Sequence, residues 1–273
     1  MWVLLVQTFR HIFRTRLVFL LIALTFLVHW FGLHILSSMK VQLPGQMSLG
    51  PLLKQSDYLF ISLFLQLFTG TFLAAVFGIW TVPYLHQGQR AQLTFTLPLA
   101  KWKYPLGYAL TMLAMLLLLH AVMLATFGWT FGWKDLTGSR VSWGTVGLCL
   151  VVQTIAFEVV MFAFALGSLL FGQVTTFFMG VASILCLQVS GIVFRISFLP
   201  WQHTEGSGPP SLYYWIYSKL PPVGELAFDL WSQFKKPSGG DPNLGLWVVW
   251  LLILGGLFYY RMTRPPKSRL ADG

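Results

Sequence analysis

Charge is the scarcest property of this sequence. Asp, Glu, Lys and Arg make up only 10% of its 273 residues, and just 8 of these are acids, whereas a soluble domain is about 25% charged. So few charges cannot solvate a chain that is 56% hydrophobic, which excludes a water-soluble globule. The 24 Phe and 12 Trp also exclude a disordered or collagen-like chain, since no solvated polymer leaves that much apolar surface exposed. Cysteine is nearly absent. Cys149 and Cys186 both sit in apolar runs and read as small core residues, with no bearing on compartment and no part in a disulfide or metal site. There is no Gly-x-x-x-x-Gly-Lys-Ser/Thr phosphate loop, which removes nucleotide binding by that route. Catalytic residues are not found either: no aspartate lies within an apolar run, and Ser190-Gly191 offers a serine without a base.

What the sequence has instead is long apolar runs. A transmembrane helix needs roughly 20 mostly apolar residues to cross about 30 Å of hydrocarbon. Six segments qualify, at residues 17–37, 58–82, 105–128, 143–170, 174–199 and 244–260. They predict an all-α, polytopic membrane protein with six transmembrane helices and one membrane domain over 1–263, followed by a short tail at 264–273. The N-terminal run superficially resembles a secretory signal, but it is too long and lacks a small-x-small cleavage site, so it reads as a retained first span. With six spans both termini share a side. Placing them in the cytoplasm gathers Arg10, Arg14, Arg16, Arg90, Lys101, Lys103, Arg261, Arg264, Lys267 and Arg269 there against the single acid Asp272, as the positive-inside rule requires. The formal charge of +10 therefore reports orientation and not nucleic-acid binding.

Two flanking stretches predict interfacial helices. Val3 to Phe13 alternates apolar and basic character along a helical face, suiting the cytoplasmic surface ahead of the first span. The outer loop at 200–243 mixes Leu212-Tyr-Tyr-Trp-Ile-Tyr with turn-rich punctuation, too polar to span and too apolar for water. It reads as an interfacial or re-entrant hairpin, either a gate or a cap over the outer helix ends.

Glu158 is the only acid well inside a span, so it must face the bundle interior, a partner helix or water. With Gln153 and Gln188 it is a candidate translocation or packing group, and Gln66 extends a polar seam if these side chains meet. Arg195 reaches the interface by snorkelling. His29, His34 and His120 all fall in the outer halves of their spans. They offer a haem pair as a competing reading beside the plainer one of interhelical hydrogen bonds. Gly70, Ala74 and Gly78 repeat at four-residue steps, and Ala163, Gly167 and Gly172 form a second set, so both allow close helix approach.

The inner connection at 83–104 reads Pro83-Tyr-Leu-His-Gln-Gly-Gln-Arg-Ala-Gln-Leu-Thr-Phe-Thr-Leu-Pro-Leu-Ala-Lys-Trp-Lys-Tyr. A short helix across the inner surface fits it. Leu93, Thr96-Leu97-Pro98, Leu99-Ala100-Lys101-Trp102 and the following Leu106-Gly107 resemble the cytoplasmic loop of ABC type-2 transporter permeases. In that family this loop forms the coupling helix that docks onto an ATPase. The span count, the basic N-terminal stretch and the long outer loop extend the resemblance over the whole chain, and the layout is most similar to permeases of the gliding-motility and copper-enzyme-maturation kind. The chain departs from the family in having Gln87, Gln89 and Gln92 where acids are usual, and Tyr108 where Lys is common.

The resemblance implies a non-enzymatic exporter subunit in the inner (cytoplasmic) membrane of a bacterium, embedded in lipid. Its partners would be a second permease copy or paralogue and a cytoplasmic ABC ATPase that holds the ATP and magnesium, with no cofactor or metal on this chain. ATPase coupling falls to Gln87, Gln89, Arg90, Gln92, Leu93 and Pro98. The rivals are a membrane redox protein with haem on His29, His34 or His120, and a membrane anchor that recruits an ATPase without transporting anything.

Overall fold

The computed structural model describes residues 16–38, 55–86, 100, 102–131, 143–197, 219–221, 226 and 243–263. These form six long helices and no strand: α1 (Arg16–Ser38), α2 (Gln55–His86), α3 (Lys103–Phe131), α4 (Trp143–Phe171), α5 (Gln173–Ser197) and α6 (Leu244–Met262). The coupling residues Gln87, Gln89, Arg90, Gln92, Leu93 and Pro98, the Val3–Phe13 stretch and most of the 200–243 loop lie outside the described residues.

Each helix occupies one of the apolar runs because a chain in hydrocarbon must satisfy its backbone within the segment. Four helices are long and apolar enough to cross a membrane, over Ile61–Trp80, Pro105–Thr130, Trp143–Phe171 and Leu244–Met262. α1 and α5, 23 and 25 residues long, hold the shorter apolar stretches Ile22–Ile35 and Gln173–Leu187 among their described residues. Threonines inside these helices are satisfied locally: the hydroxyls of Thr69, Thr71, Thr111 and Thr126 each donate to the carbonyl four residues back.

α4 and α5 are separated by a single residue, Gly172. Its φ of 86° lies in the left-handed region that a side chain disfavours, and its carbonyl then accepts both the backbone N–H and the hydroxyl of Thr176. One residue thus reverses the chain and starts the next helix.

α2 and α4 are the central pair: α2 packs most extensively on α4 and also touches α1, α3 and α5, while α4 also packs on α3, α5 and α6. The small-residue stripe makes this closeness physical. A Cβ on Gly78 would stand 2.5 Å from the Met161 carbonyl oxygen, and one on Gly70 would stand 2.2 Å from the Phe157 ring. The stripe therefore serves packing inside one chain. α6 lays Trp247, Phe258 and Met262 against the core, where Phe258 meets Phe162 of α4 and Tyr108 of α3 at ring separations of 5.1 and 5.2 Å. The opposite face of α6 exposes Val249, Leu252, Ile253 and Leu257, with Leu252 69% exposed. Such a face is costly in water and neutral in lipid.

Candidate functional site

Polar side chains buried among apolar helices gather in the half of the bundle where α2 and α4 begin. His29 comes from α1, Ser62 and Gln66 from α2, His120 from α3, and Gln153 and Thr154 from α4; all but the half-buried Thr154 are buried. The local reason is spacing. Ser62 and Gln66 are four residues apart and share a face, while Gln153 and Thr154 are adjacent and diverge around α4 toward two different neighbours.

The hydrogen bonds fix their own direction. The Thr154 hydroxyl lies 2.7 Å from the Leu150 carbonyl, which can only accept, so the hydroxyl donates there. At its 3.0 Å contact with His120 Nε2 it must therefore accept, and the imidazole carries its proton on Nε2. His120 Nδ1 is then an acceptor and takes the amide N–H of Gln66 at 3.4 Å. A chain of donors thus runs from Gln66 through His120 and Thr154 to the accepting Leu150 carbonyl, across α2, α3 and α4. Beside it, Gln153 Nε2 donates to the Leu63 carbonyl at 2.8 Å, tying α4 to α2 a second time. His29 Nδ1 donates to the Thr25 carbonyl at 2.7 Å.

Several groups of the seam keep polar atoms with no partner among the described residues: His29 Nε2, Ser62 Oγ, Gln66 Oε1, Gln153 Oε1 and both oxygens of Glu158. Glu158 lies one helical turn beyond Thr154 on the same face of α4 and is 7% exposed. It makes no bond to Gln153, whose amide is on Leu63, and Gln188 belongs to α5 with its side chain outside the described residues. Of the three expected translocation groups the structure therefore brings Gln153 into the seam and places Glu158 one turn from it.

The histidines separate. His34 is exposed and stacks on Trp30 at 5.6 Å, His29 is fully buried, and both nitrogens of His120 are engaged within the protein. Among the described residues no three of His, Cys, Asp and Glu come together as a metal site. Ser62 and Thr154 escaped the sequence reading. The signal for Ser62 was its four-residue spacing from Gln66, and for Thr154 its position beside Gln153.

A second feature is a cavity of about 240 Å³ between α4, α5 and α6, lined by Val159, Ala163, Phe164, Met179, Ile184 and Leu254 among others. Its two hydroxyl side chains, Thr176 and Ser183, both donate to carbonyls of their own chain, so the cavity is apolar in effect. Pro221 joins its wall, the Lys219 carbonyl accepts the indole N–H of Trp250 at 3.0 Å, and Leu226 is buried in the core. The described part of the 200–243 loop is thus seated on the bundle.

No protein-family model, curated protein or solved structure matches this chain.

Proposed function

We propose that this chain is the membrane-spanning permease subunit of an ATP-binding-cassette exporter, working with a separate cytoplasmic ATPase and a second permease subunit. All six helices would cross the membrane, with both termini in the cytoplasm of a bacterial cell. The carrying observation is where the coupling-like sequence falls: it joins α2 to α3, and α2 touches four of the other five helices. A push on that connection reaches α1, α3, α4 and α5 through packed contacts, so closure of a docked ATPase would move the bundle as packed bodies and not as one isolated helix. The apolar outer faces of α1, α5 and α6 supply the surface that lipid or a second permease requires.

The test is co-purification in mild detergent with tagged ATPase candidates, comparing the native chain with one whose residues 89–93 are replaced by Gly-Ser repeats. Association lost only in the replaced chain is the expected result. Equal association of both, or none with either, would overturn the coupling role of this loop.

A further inference from the structure

The cavity between α4, α5 and α6 is long and narrow. Its floor on α4 runs from Val159 to Phe171 and its wall on α5 from Thr176 to Leu187, so at about 1.5 Å per residue it is about 18 Å long. That is close to the depth of one leaflet, half of about 30 Å of hydrocarbon. A volume of about 240 Å³ spread over this length is far too thin for a helix about 10–12 Å across, so no partner's helix can enter it. Water finds no partner there, because Thr176 and Ser183 both donate to carbonyls four residues back and a cavity lined by apolar groups stays dry.

The cleft opens sideways. α5 and α6 each pack on α4 but not extensively on each other, and Phe171 and Met179 of its lining are exposed. Toward the start of α6 Pro221 joins the wall, two residues from the Lys219 carbonyl that Trp250 holds. On α6 the lining residue is Leu254, and Arg261 lies on the same face two turns further on, about 10 Å nearer the end of the helix. Arg261 Nε is buried and has no partner among the described residues. It sits at the depth of the exposed Tyr259 and Tyr260, aromatic side chains of the kind that mark a membrane interface. A guanidinium there calls for an acceptor of negative charge, since a buried cation left unpaired is costly.

We propose that this cleft binds one anionic phospholipid, with an acyl chain along α4 and α5 and its phosphate on the guanidinium of Arg261. The guanidinium matches phosphate with paired N–H donors. A zwitterionic lipid brings its own cation to that phosphate, whereas an anionic lipid leaves its charge for Arg261. The bound lipid would fill the space between α5 and α6 and steady both against α4. The site rests on the helices crossing a membrane and needs neither an ATPase nor a cargo.

The experiment is photolabelling of the full chain in phosphatidylcholine nanodiscs, with a trace of phosphatidylglycerol that carries a diazirine midway along one acyl chain and peptide mass spectrometry as the readout. Saturable label is expected on residues 159–171 and 176–187, with the phosphatidylglycerol probe preferred roughly fivefold over a phosphatidylcholine probe, the effect of one basic group near the surface. Ala163→Phe, which fills the cleft from its exposed floor, should abolish that label. Arg261→Gln should keep the label and lose the headgroup preference. Label on the exposed α6 face at Val249, Leu252 and Leu257, which bulk lipid covers, should be the same in all three proteins. Circular dichroism and thermal melting establish that each is folded. Cleft labelling no stronger than on that α6 face, native labelling in Ala163→Phe, or an unchanged preference in Arg261→Gln overturns the proposal. An unlabelled cleft in the folded native chain also overturns it, and points to a second copy as the cover if Ala163→Phe turns a dimer into a monomer in size exclusion. Because no ATPase takes part, its failure is separable from failure of the permease reading.

Discussion

A hydroxyl in hydrocarbon matters according to what it bonds. Thr126 and Thr154 both return a bond to the carbonyl four residues back, but Thr154 also accepts from His120 of another helix. Replacing Thr126 by Val deletes a local bond whose loss the helix hardly feels. Replacing Thr154 by Val leaves the His120 N–H facing a methyl group and breaks the chain from Gln66. Interhelical hydrogen bonds in membranes average about 0.6 and reach about 1.7 kcal/mol. Thr154→Val should therefore cost about 1 kcal/mol and Thr126→Val close to nothing, as read from reversible unfolding in mixed micelles. Equal costs would show that the His120 contact carries no stability. The sequence marked Glu158, Gln153 and Gln66 as groups that needed company, because few polar side chains enter hydrocarbon without it. It could not pair them, because a partner depends on the rotation of two helices about their axes.

At the scale of elements, α2 and α4 are held by close approach, since lipid removes most of the hydrophobic drive for helices to associate. Both glycines on that face are crowded, but by different things. Next to Gly70 stands the Phe157 ring, a side chain that can turn, whereas next to Gly78 stands the backbone of Met161 and Ala165. Overpacking costs about 1–3 kcal/mol where neighbours cannot yield. Gly78→Ala is expected at the upper end of that range and Gly70→Ala below it, while Gly256→Ala, with nothing within 4 Å, should be neutral or slightly stabilising. Thermal unfolding of the three variants ranks them, and a Gly70 variant less stable than the Gly78 variant would contradict the α2–α4 register. Small-residue spacing announced a packing face in the sequence; whether it met another helix of the chain or a second copy was undecided until α4 filled it.

For the whole molecule, the proposed arrangement has six crossings and a cytoplasmic inner face rich in Lys and Arg. With Cys149 and Cys186 replaced by serine, single cysteines introduced for Arg90 and Lys267 should react with impermeant maleimide only after the cells are opened. One introduced for Glu205 should react in intact cells. Labelling of the Lys267 position from outside while the Arg90 position stays protected would mean an odd number of crossings between them and would remove the proposed topology.

The helices were legible from the sequence because the bilayer imposes a length and an internally satisfied backbone, and both leave their mark as runs of apolar residues. The runs ending at 170 and starting at 174 left room only for a tight turn, but the sequence grouped Gly172 with Ala163 and Gly167 as a packing residue, whereas it is the turn itself, with nothing within 4 Å of where its Cβ would stand. Helices that are apolar all round give no sign of which side faces a neighbour, because lipid and protein interior look alike to a Leu or a Phe. Only the tertiary structure could therefore decide that α2 and α4 are the central pair, that Gln66, His120 and Thr154 form one chain of donors, and that Gln153 turns to Leu63 and leaves Glu158 without it.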